Sequence, residues 1–175
     1  MNRLLNLFDQ QRFEVVGGER LCAEWVLKCG GRLRWSDSDK WLTDYNNLPS
    51  EKATNILTIQ DIDVSGTVVM NVGFRHLWHV KDLKSFKMHD CKYLDDNSLK
   101  QLQYTANSLQ HLQVSANKNI TDTGLFHLVK LVFLTDLHLK DLPAVKDKKG
   151  TYEQLQKALP KCDILFPDID GSNVD

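Results

Sequence analysis

Residues 83–94, LKSFKMHDCKYL, and residues 109–120, LQHLQVSANKNI, share one spacing of apolar side chains. Both follow the pattern L-x-x-L-x-L-x-x-(C/N)-x-x-L, and an apolar pair follows each copy, Leu99 with Leu102 and then Leu125 with Leu128. This pattern indicates a leucine-rich repeat, in which a short strand and a turn lead into a helical return. Because such repeats serve many partners, the pattern predicts a fold and leaves function open.

The same spacing extends to both sides of these two copies. Ile62, Phe86, Leu112 and Leu137 occupy equivalent positions, separated by 24, 26 and 25 residues. A period near 25 is usual for these repeats. We therefore predict an α/β fold, a short right-handed leucine-rich-repeat solenoid of about four β-α repeats with parallel strands side by side and helices outside. The segment 163–166 is expected to form a final edge strand.

Residues 1–55 do not follow the repeat. An apolar stripe at helical spacing lies between the pairs Gly17–Gly18 and Gly30–Gly31, which predicts a helix that ends at the second pair. Residues 32–35 alternate polar and apolar side chains, which predicts a short strand. We interpret 1–55 as an N-terminal capping domain, 56–166 as the leucine-rich repeats, and 167–175 as an acidic, disordered tail.

Composition and motifs argue against several classes of protein. The chain has 175 residues, with 22 Lys and Arg against 23 Asp and Glu. This balance argues against a nucleic-acid-binding protein, which would show a clustered excess of basic residues. The sequence contains no run of eighteen apolar residues, so it predicts no membrane-spanning helix. The four cysteines have no C-x-x-C spacing, which favours reduced thiols in a reducing compartment. No nucleophile elbow, phosphate-binding loop or zinc signature occurs, so we do not expect an enzyme.

Several residues are candidates for chemistry, each with a structural alternative. Cys91 occupies the turn of its repeat, where a buried, inert thiol is expected. The pair His89-x-Cys91 has no second pair to complete a metal site. His76 and His79 are expected on the surface. The loop acids Asp95, Asp96 and Asp122 are expected to cap the helices that follow them.

Side chains that alternate with the core along the strands are expected to face solvent and a partner. Asp61 and Asp63 are placed outward by this alternation, where they line a cation site or are simply solvated. The mixed polar character of the set favours a protein partner over lipid or nucleic acid. The residues are Asp61, Asp63, Lys87, His89, His111, Gln113, Asp136 and His138.

Beyond the repeat, several segments together resemble the ATP synthase subunit s family, also called coupling factor B. The resemblance covers roughly residues 5–165. It implies a mitochondrial protein, peripheral on the matrix side of the inner membrane, associated with the ATP synthase membrane sector and with coupling of proton transport to ATP synthesis. The matching segments are AEWVLKCG at 23–30, WLTDYNNLP at 41–49, IQDID at 59–63, GFRH at 73–76, NITDTG at 119–124 and DLPAVK at 141–146.

The resemblance also implies a magnesium ion, held by the backbone carbonyl of Gly30 and by Ser65, where relatives carry Thr. Two neutral oxygen ligands make a weak site. Relatives carry a Cys-x-Cys pair where this chain has His89 and Cys91, so a reagent for paired thiols should lose its target here. Two alternatives stay open, an assembly factor for the membrane arm of respiratory complex I and a ubiquitin-ligase adaptor built on the repeats.

Overall fold

A computed structural model of the chain describes residues 2–51 and 57–170. Its strands form one six-stranded sheet in the order of the sequence. The first strand is antiparallel to the second, and the remaining pairs are all parallel. This confirms the α/β class and the expected order of the strands. The strands are β1 (Arg32–Trp35), β2 (Ile59–Asp63), β3 (Ser85–His89), β4 (His111–Ser115), β5 (Asp136–Lys140) and β6 (Asp163–Leu165).

Helical segments connect the parallel strands. The α-helices are α1 (Asn2–Leu5), α2 (Gln10–Lys28), α3 (Asp96–Gln101), α4 (Asp122–Phe126) and α5 (Lys148–Ala158). Shorter 3-10 helices cover Tyr45–Asn47, Asn71–His79, Leu102–Thr105, His127–Lys130 and Pro167–Asp170. The break predicted at Gly17 appears as a kink inside α2, where Gly17 has φ 76°. Residues 171–175 of the predicted tail and the predicted boundary at 55/56 lie outside the described residues.

The apolar repeat sets the pairing of the strands. Ile62 pairs with Phe86, Phe86 with Leu112, and Leu112 with Leu137. All four side chains are buried, with at most 2% of their surface exposed. Burial of each such side chain contributes about 1.5–3 kcal/mol, so a one-residue slip of any strand would turn this row out of the core. The period near 25 is therefore the spacing that returns the chain to the same core position.

The turns after β2, β3, β4 and β5 share one backbone conformation, although their residue types differ. Gly66, Asp90, Ala116 and Asp141 all have positive φ, between 50° and 68°. The N–H groups of the first three donate to the carbonyls of His89, Ser115 and Lys140, at the end of the following strand. Three of the four turns are thus hydrogen-bonded to the unit that follows them.

Polar side chains also link successive units. Asn117 accepts a hydrogen bond from the Cys91 N–H and donates one to the Met88 carbonyl, both at 2.9 Å. Asp96 accepts from the N–H and the hydroxyl of Thr121, at 2.8 and 2.6 Å. These bonds satisfy backbone groups that the parallel ladder leaves unpaired at the turns.

The expected hydrogen-bonded cap forms at one loop acid and not at two, although Asp96 and Asp122 lie in the first turns of their helices as expected. Asp95 caps its own helix through Ser98 in a capping box. Asp96 instead holds Thr121, and Asp122 accepts from the N–H groups of Lys146 and Asp147. Two of the three acids therefore join neighbouring units, because their carboxylates reach the turn of the unit that follows.

The N-terminal segment packs at the β1–β2 end of the sheet through buried aromatic and polar groups. Asn6 is fully buried; its side-chain oxygen accepts from the Trp25 indole N–H at 3.1 Å and from the Met70 N–H at 2.8 Å. A Cβ at Gly73 would lie 2.5 Å from Trp25 Nε1, so this close approach requires glycine. The helix and strand predicted for the cap are present, and one continuous core joins them to the units that follow.

His76 belongs to this packing, and its expected surface position is wrong. Only 3% of the residue is exposed, and its ring stacks on Trp25 with centroids 5.1 Å apart. The protonated Nδ1 donates to the Gly73 carbonyl at 2.7 Å. Burial lowers the pKa of His76 from 6.5 to about 4. The sequence did not reveal this position because Asn71–His79 winds as a 3-10 helix, which places His76 under Trp25.

Lowering the pH should destabilise the fold through His76. Its folded pKa, about 4, lies below the unfolded value of 6.5, so the unfolded chain binds the proton first as the pH falls. The stabilisation is complete above pH 6.5 and is lost toward pH 4; at pH 5 the loss is about 2 kcal/mol. Denaturant unfolding at pH 7 and pH 5 measures it.

A matched pair of variants isolates this contribution. His76→Phe removes the titrating group and should flatten the pH dependence between pH 7 and pH 5. Phe74→Leu perturbs the same core, where Phe74 is fully buried, and should lower stability while it keeps the wild-type pH dependence. An unchanged slope in His76→Phe would show that His76 does not carry the effect.

Candidate functional site

Side chains on one face of the sheet line an open groove of about 340 Å³. The strand pairing aligns Lys87 with Gln113 and Gln113 with His138, and it aligns His111 with Asp136. The sheet therefore brings Lys87, His111 and Gln113 of the predicted partner surface together. His89 lies at the end of β3 beside Ser115, further along the same face.

Hydrogen bonds hold several of these groups in place. His111 Nδ1 lies 2.8 Å from Asp136 Oδ2. The hydroxyl of Thr135 donates to the Asp136 carboxylate, and this bond, helped by His111, lowers the pKa of Asp136. Ser115 Oγ lies 2.8 Å from His89 Nδ1 and accepts from Gln113 at 3.1 Å. The groove thus presents both hydrogen-bond donors and acceptors on one face of the sheet.

Asp61 and Asp63 lie on the same face of the sheet as Lys87, as their alternation with the core predicts, but their expected solvation is wrong. Only 8% of Asp61 and 5% of Asp63 is accessible. Strand β1 aligns Arg34 with Asp61 and Arg32 with Asp63, and both ion pairs measure 2.8 Å. A partner approaching this end of the sheet meets the two arginines.

A charge pattern in the sequence could have revealed these pairs. Arg32 and Arg34 alternate with apolar residues in one strand, and Asp61 and Asp63 are spaced identically in another. Opposite charges on facing positions stabilise an antiparallel pair. Both guanidinium groups also lie over the ring of Trp41, at 4.7 and 5.6 Å from its centroid.

The two residues expected to hold magnesium line one pocket. Gly30 and Ser65, together with Asp63 and Arg32, surround a space of about 260 Å³ beside β1. Gly30 has φ 91°, a conformation that favours glycine, as its predicted place at the helix end requires. The Ser65 N–H and hydroxyl both donate to Asp63 Oδ1, at 2.9 and 2.5 Å.

The chemistry of this pocket fits a hard cation held mainly through water. Carbonyl, hydroxyl and carboxylate oxygens are the ligands that Mg²⁺ prefers. Burial opposes ionisation of Asp63, but the bonds from Ser65 and the ion pair with Arg32 keep its pKa below the ordinary value. Arg32 already neutralises this carboxylate and competes with a metal ion. In the described part of the chain no three His, Cys, Asp or Glu side chains gather as a metal site.

Cys91 lies inside the protein and is separated from His89. Only 2% of Cys91 is exposed, and its Sγ donates to the Val64 carbonyl at 3.1 Å. Burial raises the pKa of this thiol to about 11. His89 is exposed and bonded to Ser115, so the two side chains do not form one site. The geometry assigns Cys91 to the packing of the turn.

Alkylation of Cys91 should therefore be slow in the folded chain. A pKa of about 11 against an ordinary 9.0 lowers the thiolate fraction about a hundredfold, and burial hinders access further. Reaction with iodoacetamide at pH 8, followed by mass spectrometry of the Cys91 peptide, should be at least about a hundredfold faster in denaturant. Ser36→Cys places a thiol at an exposed position and gives the alkylation rate of an accessible cysteine in the folded chain. Equal alkylation rates of Cys91 in the folded and the denatured chain would contradict its burial.

None of the helices in the described residues combines the length and the apolar character needed to cross a bilayer.

No family model matches the chain. Curated relatives do match over nearly all of it. The chain is 36% identical over 167 residues to a rat protein named "ATP synthase subunit s, mitochondrial", which covers 94% of this chain and 83% of the relative. Human and bovine proteins of the same name are each 30% identical over the same shares.

Proposed function

This chain belongs to the ATP synthase subunit s family, and we propose that it is a non-catalytic mitochondrial component that helps to couple proton transport to ATP synthesis. The observation that carries the proposal is the match over 94% of the chain, which includes the N-terminal segment as well as the parallel units. It would act through protein contacts and associate peripherally with the membrane sector of ATP synthase, on the matrix side of the inner membrane.

The scaffold for these contacts is, in this proposal, a short right-handed leucine-rich-repeat solenoid. Parallel strands in sequence order, a period near 25 and a buried Cys or Asn at the turn all support this assignment. The groove face would then be the inner face of the arc, where such proteins bind partners. Lys87, His111 and Gln113 would supply the contacts, since Asp61 and Asp63 are covered by arginines.

Purification of the tagged full chain from mitochondria tests this function. We expect membrane-sector subunits of ATP synthase to co-purify, and the double variant Lys87→Glu/His111→Glu, which adds two acidic side chains to the groove, to lower their yield at least about tenfold. Lys157→Glu, an exposed substitution on α5, is the control and should leave the yield unchanged. Recovery of respiratory complex I without ATP synthase would reject the proposal and favour an assembly factor.

Magnesium binding between Gly30 and Ser65 is a second element of the proposed function. Mg²⁺ would take the Gly30 carbonyl and the Ser65 hydroxyl as protein ligands and fill its shell with water. Because Arg32 neutralises Asp63, we expect a weak site whose affinity depends on that arginine.

Two substitutions should move magnesium affinity in opposite directions. Ser65→Ala removes an oxygen ligand and should weaken binding, whereas Arg32→Gln frees the Asp63 carboxylate and should strengthen it. The increase in melting temperature with Mg²⁺ concentration gives the affinity of each variant. Ser36→Ala, exposed and outside the pocket, is the control. Equal Mg²⁺ responses in Ser65→Ala, Arg32→Gln and wild type would exclude a site in this pocket.

A further inference from the structure

A strip of four side chains crosses the helical part of the molecule away from the groove. The aromatic strip consists of Phe8, Arg75, Trp78 and Tyr104. The rings of Trp78 and Tyr104 are 4.3 Å apart, and the guanidinium of Arg75 lies over Phe8 at 4.7 Å and over Trp78 at 5.5 Å. The strip therefore joins the N-terminal segment to the 3-10 helices Asn71–His79 and Leu102–Thr105.

The winding of Asn71–His79 explains why these residues are exposed together. A 3-10 helix has three residues per turn, so side chains three apart lie one above another. Val72, Arg75 and Trp78 follow this spacing and are all exposed, whereas Phe74 and Leu77 are buried in the core. Trp78 keeps 40% and Tyr104 44% of its surface accessible. Large aromatic surface is thus left in solvent on an ordered, stacked platform.

Arg75 gives this platform a charge without an internal partner. Among the residues that the structure describes, no carboxylate lies within ion-pair distance of Arg75. Two acids on flanking segments are engaged elsewhere, Asp95 with Asn71 and Asp82 with Lys84. A guanidinium held over two rings keeps its planar donors available for a carboxylate.

We propose that the aromatic strip docks a segment of another protein that presents a carboxylate beside apolar side chains. Arg75 would bind the carboxylate, while Val72, Trp78 and Tyr104 would cover the apolar neighbours. Trp, Tyr and Arg are the residue types that carry most binding energy in protein interfaces. A lipid surface fits less well, because the strip holds a single cation and one basic residue contributes only about 1 kcal/mol there. This docking surface adds to the proposed function and does not depend on which complex is the client.

Photo-crosslinking of the full chain in living cells tests the strip. p-Benzoylphenylalanine in place of Tyr104 preserves an aromatic group at the position and reports what lies against it. We expect a protein adduct whose crosslinked peptide contains Asp or Glu next to apolar residues. Arg75→Glu should lower the adduct yield at least about tenfold, whereas Lys100→Glu, a charge reversal on α3 outside the strip, should not.

The remaining outcomes decide between alternatives. An adduct that persists in Arg75→Glu, a crosslinked peptide without a carboxylate, or no protein adduct would overturn the proposal. If the chain co-sediments with cardiolipin-containing vesicles and this binding requires Trp78, the proposal is overturned and the strip is a lipid-binding surface. Equal thermal unfolding of Arg75→Glu and wild type excludes misfolding as the cause of a lost adduct. An adduct with a protein outside ATP synthase would support the strip and count against the proposed function.

Discussion

Parallel pairing of strands that lie about 25 residues apart is the constraint from which the rest of the structure follows. Parallel neighbours cannot be joined by a tight hairpin, so each unit must carry a return segment. Ile62, Phe86, Leu112 and Leu137 meet in one buried row because each return has nearly the same length. The inward positions of the strands are thereby committed to packing. The outward positions then form one surface, and strand pairing does not restrict which residue types occupy them.

The polar groups at the turns show how the units are held in register. Gly66, Asp90 and Ala116 donate their N–H groups to the next strand, and Asn117 satisfies backbone groups of the unit before it. Such bonds are worth about 1 kcal/mol each when made, but a buried group left without its bond costs about 1–3 kcal/mol. Their effect is therefore to penalise wrong pairing between units more than to strengthen correct pairing.

The spacing of apolar residues predicted the strands, their order and most of the core, since burial in a parallel sheet leaves a strong periodic signal. It did not predict the conformation of Asn71–His79, and His76 was misplaced for that reason. The burial of Asp61 and Asp63 also escaped prediction, because it depends on which strand lies beside β2. The pocket residues Gly30 and Ser65 came from resemblance to a family, not from the pattern, and the structure places both at one pocket. Local periodicity thus reports what faces the core and says little about contacts between distant segments.

The covering of Asp61 and Asp63 changes what a partner would encounter. Without β1, the β2 end of the groove face would present two carboxylates, and it would attract basic segments. With β1 in place, Arg32 and Arg34 occupy that end, each neutralising one acid and stacking on Trp41. At this end of the sheet, the groups accessible to a partner are therefore the two guanidinium groups, and the carboxylates lie beneath them. Arg75 on the aromatic strip is likewise held against aromatic rings, but it differs from Arg32 and Arg34 in having no ion pair with a carboxylate of the described residues.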